Sequence, residues 1–219
     1  SRASYLCALL RPQIIQDFKL RDRITFLPRN PSSFTPLSEN SDYLLLGSDP
    51  DFNRQQISKF SAKDAKRYEE YDAYLSKFAI FLEKLIDQVP IDVTALASML
   101  QNGSFFERMM NIRKWMKSAD GNNAKELFHA LTEMGIHNIP EFFRLMTSPA
   151  SKILDEWFES DILKATLSTD SVIGEFVAPS TPGSAYVLLH HVMGDVGFGR
   201  GIWAYVKGGM GSITQALQD

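Results

Sequence analysis

"SAKDAKRYEEYDAYLSKFAIFLEKLIDQVP", residues 61–90, reads as one long helix. Ser61 is placed to accept the third helical amide and Asp64 stands near the positive end of the helix, the pattern of a capping box. Tyr68, Tyr71, Leu75, Phe78, Leu82 and Leu85 recur at steps of three and four, which puts them on one face until Pro90 stops the run. Lys63, Lys66, Arg67, Glu69 and Glu70 fall on the polar side and read as a solvated surface.

Outward from that helix the chain stays helical on its C-terminal side. Helices are expected at about 92–100, 104–118, 123–134, 139–147, 150–158 and 160–170, punctuated by Gly103, Gly121, Gly135, Pro140 and Pro149. Another is expected in "TPGSAYVLLHHVMG", residues 181–194, with Thr181 as cap, Pro182 in the first turn and Gly194 ending it in the left-handed conformation. "IWAYVKGG", residues 202–209, then reads as a strand and "MGSITQAL", residues 210–217, as a helix. On the N-terminal side, short β-prone runs at 24–28, 33–37 and 43–46, separated by Asn-Pro and a polar turn, read as a small antiparallel sheet. Tyr5–Leu10 and Ile14–Leu20 read as helical turns around Pro12. The class is α+β, mostly helical with a minor sheet.

With 219 residues, 44% of them hydrophobic, the chain can bury a substantial core as one large domain or two small ones. A net charge of −3 without a Lys/Arg cluster gives no reason to expect nucleic acid. No run reaches the roughly 18–20 apolar residues of a membrane span. The single Cys7 excludes an internal disulfide framework and a Cys-rich zinc site, and reads as a small buried residue. The first residues carry no signal-peptide pattern and the last ones stop inside an expected helix, so both edges read as cut.

Candidate chemistry is sparse. The four histidines include the neighbours His190 and His191, which point about 100° apart on a helix and do not converge on one ion. One can face a cavity while the other packs in the core. No GxSxG elbow is present. The carboxylates of "DEWFESD", residues 155–161, fall at the join of two helices and read as caps and solubilising groups. "GRGIWA", residues 199–204, matches GxGxxA by letter, but neither a preceding strand nor a following helix supports a dinucleotide site. Strand, turn and helix do meet at "AYVKGGMGSITQAL", residues 204–217. There Gly208, Gly209 and Gly211 either make a tight turn or leave amides free for a ligand at a helix start.

From "SYLCALLRPQII" through "RNPSSFTPL", "FSAKDAKRYEEY", "LDEWFESDILKATLSTDSVIG" and "TPGSAYVLLHHVMG" to "WAYVKGGMGSITQAL", the chain resembles the phytoene-desaturase-like flavoprotein oxidoreductases along essentially its whole length. The resemblance implies an amine-oxidase-like architecture in which a Rossmann-type domain holds FAD and a helical middle region covers the flavin and binds substrate. Only the middle region is matched, so residues 1–219 are expected to be the substrate-binding domain, partnered by an FAD-binding domain of the same polypeptide and not active or FAD-binding alone. Hydride transfer from an apolar substrate to flavin is the implied reaction. Lys207, Gly208, Gly209 and Gly211 become candidates for the flavin-facing edge, and Arg11 either faces the cofactor or caps a helix. Tyr186, Leu189, His190, Trp203 and Met210 become candidates for the substrate cavity. Catalytic residues stay unassigned and no metal is expected. An animal relative implies a mitochondrial (matrix) location and a respiratory-chain protein as partner. The competing class is a stand-alone helical module that binds an apolar ligand or a protein.

Overall fold

A computed structural model describes residues 6–37, 42–90 and 92–218. Tyr5 and residues 38–41 of the polar turn expected at 38–42 lie outside them. The chain divides into two compact units, residues 1–79 with 141–219, and residues 80–140.

The larger unit opens with Leu6–Leu10, expected as a helical turn. Instead Cys7 bridges Ala204, exchanging both amide bonds at 2.8 and 2.9 Å. Pro12 starts α1 (Pro12–Asp17), followed by α2 (Leu20–Arg23). Strands β1 (Phe26–Pro28), β2 (Ser33–Pro36) and β3 (Tyr43–Leu46) occupy the three expected runs, but they do not form one sheet. β2 and β3 make a hairpin with Ser33 opposite Leu46, whereas β1 pairs with β4 (Ala204–Val206), Phe26 opposite Val206. Propensity marks a strand without naming its partner.

A helix missed by periodicity, α3 (Pro50–Ser58), follows; Asp49 caps it by accepting the amides of Asp51 and Phe52, and Pro50 opens its first turn. The long helix is α4 (Ala62–Asp87). Tyr71, Leu75, Phe78 and Leu82 of its expected face are buried, and Tyr68 and Leu85 are half-buried. Ser61 accepts the Asp64 amide at 3.0 Å as the capping box requires. The Asp64 carboxylate departs from that motif. It is fully buried and accepts the amides of Glu159 and Ser160, the latter at 2.8 Å.

Those amides lie between α9 (Ala150–Trp157) and α10 (Asp161–Ser168). Around the same corner Glu159 binds Ser61 and Lys63, Glu156 binds Arg144, and Asp155 binds Lys164, so the "DEWFESD" carboxylates make surface ties and one corner. An aromatic layer of Tyr71, Tyr74, Phe78, Phe142, Trp157 and Phe158 packs behind it with ring centroids 5.0–6.2 Å apart.

The helix α11 (Ser184–His191) starts later than expected. Thr181 spends its hydroxyl on the Ala178 amide, and Gly183, at φ +88°, precedes the first turn. Gly194 is not a left-handed cap. A Cβ there would stand 2.4 Å from the Ala8 carbonyl oxygen, so glycine lets the strand-like segment around Cys7 approach. "GRGIWA" lies in a loop whose amides at Gly197, Phe198 and Gly199 converge on the Asp195 carboxylate. The final helix is α12 (Gly211–Gln218). Cys7, Ile15, Leu20, Phe26, Val196, Ala204, Val206 and Ile213 form one core that ties α1, α2, β1, β4 and α12 together. Cys7 is buried there, and burial pushes its thiol pKa up, as suits a packing residue.

The smaller unit contains the last turns of α4, then α5 (Val93–Gln101), α6 (Phe105–Trp115), α7 (Ala119–Met134) and the first residues of α8 (Ile139–Thr147). Ser118 caps α7, so Gly121, expected as a breaker, lies inside its first turn, where a Cβ would strike the Trp115 carbonyl. Lys84 pairs with Glu133, and Gln88 with Glu126 at 3.1 Å, joining the end of α4 to α7.

Candidate functional site

The glycine turn is built from both neighbours. Pairing of β4 with β1 continues for one more bond, Lys207 N–H to the Thr25 carbonyl at 2.9 Å, and then the chain reverses. Gly208 and Gly209 take φ of +86° and +90°, a region that favours glycine, and the Gly209 amide closes back on the Val206 carbonyl at 2.8 Å. Ser212 ties the turn by donating to the Lys207 carbonyl at 3.1 Å. A Cβ at Gly209 or Gly211 would meet nothing within 4 Å, so both backbones look onto open space. Beside Gly211 that space is an open cleft of about 620 Å³, lined also by Arg23, Ile24, Gly208, Ser212 and Gln215. Arg23 is held over it by donating to the Ala216 carbonyl at 2.6 Å. The Ser212 and Ile213 amides are engaged by the Gly209 and Met210 carbonyls, so the chemistry gathered here is the Arg23 cation beside glycine backbone, and the cation is what suits an anionic or acceptor-rich group.

The other candidates gather elsewhere in the same unit. Rings run from Tyr186 to His190 (6.0 Å between centroids), to His191 (6.5 Å), to Trp203, which stacks on His191 at 5.1 Å. Arg11 begins α1 as its N-cap residue without a side-chain cap, and its charge helps hold the His190 imidazole below its usual pKa, after burial and His191. Its charge thus reaches His190. Leu189 is fully buried, whereas Met210 is half-buried against the core around Ile213.

Asp170 is the residue that sequence reasoning left out, and it stands beside His191, the more buried of the histidine pair. Asp170 lies in a short 3-10 turn, Thr169–Ser171, with a carboxylate oxygen 3.9 Å from His191 Nδ1. Burial lifts the Asp170 carboxyl to about 6, with Arg29 partly opposing. Burial also lowers His191, with a hydrogen bond to the Ile173 backbone partly opposing. Both shifts run against an ion pair, so near neutral pH Asp170 is ionised and His191 neutral. Among the described residues, no three His, Cys, Asp or Glu side chains group as metal ligands.

Comparison with known proteins gives the chain a context. It is 42% identical over 224 aligned residues to the rat "Pyridine nucleotide-disulfide oxidoreductase domain-containing protein 2" and 41% identical to the mouse protein of that name, with 99% of this chain covered. The chain is homologous to both rodent proteins. It spans 36% of their length. An uncharacterized Mycobacterium tuberculosis protein is 24% identical over the same share of the chain. No protein-family model and no solved structure matches. The names of the rodent proteins describe a pyridine nucleotide-disulfide oxidoreductase domain in those proteins.

One consequence of the ring cluster is independent of that relationship. The folded chain holds the Asp170 proton more tightly than the unfolded chain does, so stability falls as pH rises from about 3.8 to about 6 and then stays at the lower level. With 44% of the side chain exposed, water screens the group and the loss is about 1 kcal/mol or less. His191 acts in the opposite sense, its share being lost as pH falls below about 6.5. Asp170→Asn is expected to remove the fall between pH 4 and 6 in urea melts; an unchanged slope would mean that burial does not raise this carboxyl.

Proposed function

We propose that this chain is the substrate-binding part of a phytoene-desaturase-like, FAD-dependent oxidoreductase, with FAD held by a Rossmann-type domain outside residues 1–219 and the helices forming an amine-oxidase-like covering region. The reading is supported most by the cleft at the glycine turn, where Gly211 presents bare backbone to open space beside Arg23 and Ser212. These residues suit the acceptor-rich edge of a flavin, and Lys207 adds a second cation beside the turn. Bound FAD supplies a hydride acceptor. The chain's own contribution is to bind and orient an apolar substrate and exclude water, with Tyr186, His190 and Trp203 as the wall, Leu189 as its backing, and Met210 as a further cavity candidate beside the glycine turn. Mitochondrial location and a respiratory-chain partner belong to the same proposal.

The test is the intact mass of the native polypeptide under denaturing conditions, measured with the flavin it releases. A mass well above 24.7 kDa with FAD in stoichiometric amount supports the reading. A mass near 24.7 kDa without flavin overturns it in favour of a stand-alone helical module. In the flavin-bearing protein, Gly209→Val forces a branched residue to φ +90°, at about 1–3 kcal/mol of local strain. FAD occupancy is expected to fall about tenfold or more with unchanged far-UV circular dichroism. Loss of folding without a selective effect on flavin would make the turn purely structural.

A further inference from the structure

In the smaller unit, α6 carries two parallel rows of side chains, Phe105–Met109–Arg113 and Phe106–Met110–Lys114, each stepping by four residues. All six are exposed, with Phe105 at 78%, Phe106 at 70%, Met109 at 51% and Met110 at 59%. Each row is apolar through the first turns and ends in a cation in the last one. Ile112 and Trp115 are the half-buried residues of the helix; Trp115 faces away from the two rows and Ile112 borders the Phe105 row. Glu107, the sole acid of α6, is turned back into the capping box with Ser104, and Arg108 is engaged by the carbonyls of Gly103 and Gln101. The open face therefore combines four large apolar groups with two positive charges and no negative one.

We propose that this face of α6 binds an anionic lipid surface. Two phenylalanines and two methionines projecting from a convex helix match a soft apolar phase, because burying side chains of this size takes a large apolar area out of water. The cations follow at the helix end, where long stems let the charges reach lipid phosphates while the rings lie deeper. A second copy of this chain fits less well, because pairing through the face would bury four cations with no acid within the face to meet them. The helix lies on the membrane and does not cross it: α6 has 11 residues, and no described helix is long and apolar enough to span.

Flotation with vesicles of phosphatidylcholine alone, and of phosphatidylcholine with phosphatidylserine, tests this on the protein at low salt. Binding is expected to the anionic vesicles, to be lost in Phe105→Ser/Phe106→Ser, and to weaken by more than about thirtyfold in Arg113→Glu/Lys114→Glu, since losing two basic side chains at about 1 kcal/mol each gives about thirtyfold before the new carboxylates add repulsion. These positions are exposed, and circular dichroism checks that both variants keep their helices. Equal binding by the charge-reversed variant, or no vesicle binding, overturns the proposal. Concentration-dependent association abolished by Phe105→Ser/Phe106→Ser, without vesicle binding, would assign the face to a second copy; capture of an acidic polypeptide instead of vesicles would assign it to a protein. Vesicle binding is read without flavin, so it stands or falls separately from the oxidoreductase proposal.

Discussion

Asp64→Ala is expected to destabilise the chain by about 3–5 kcal/mol, a cost far above that of a surface carboxylate. The carboxylate is fully buried and accepts the amides of Glu159 and Ser160, so its removal leaves two amides at the α9–α10 corner without an acceptor. Hydrogen bonds to a charged acceptor contribute about 1.5–3 kcal/mol each, and an orphaned buried donor adds desolvation. Asp64→Asn retains one acceptor oxygen and is expected to lose about half as much. Urea denaturation followed by circular dichroism gives the difference directly. A loss for Asp64→Ala no greater than that for Lys63→Ala, whose amine is exposed on the same turn, would mean that the corner holds without this carboxylate.

Phe78→Ala should cost about 3–5 kcal/mol by cavity formation. The ring is completely buried, edge-on to Tyr74 at 5.1 Å and stacked with Phe142 at 6.2 Å. Tyr74 in turn donates to Glu141, which Arg144 grips from the other side while also reaching Glu156. A void under Tyr74 therefore loosens a polar network as well as an apolar layer. Phe78→Leu keeps most of the volume and is expected to cost under about 1.5 kcal/mol. Thermal and urea melts that put Phe78→Ala within that smaller range would show that the layer collapses around the gap.

The helices were legible because their signal is local. Tyr71, Leu75, Phe78 and Leu82 are spaced so that any helix places them on one stripe, and Pro90 and the caps bound it without reference to the rest of the chain. α3 escaped because its apolar spacing is poor, although Asp49-Pro50 marked its start. The candidate site was legible in part. A strand, a glycine turn and a helix were expected at 204–217, and they form there. Arg23 at the cleft, and the company of Arg11 with His190, were not readable, because neither residue has a sequence neighbour that announces its partner.

By itself, then, the sequence determined a mostly helical chain with three short N-terminal strands and a glycine-broken turn near residue 209, since periodicity, caps and turn chemistry act over a few residues. Tertiary structure alone decided that β1 pairs with β4 and leaves β2 and β3 as a hairpin, that Gly194 admits the backbone of Ala8, and that Asp64 serves a distant corner. It also decided that Asp170 lies beside His191. Each of these rests on which remote surfaces close together and exclude water, a choice that no window of neighbouring residues contains.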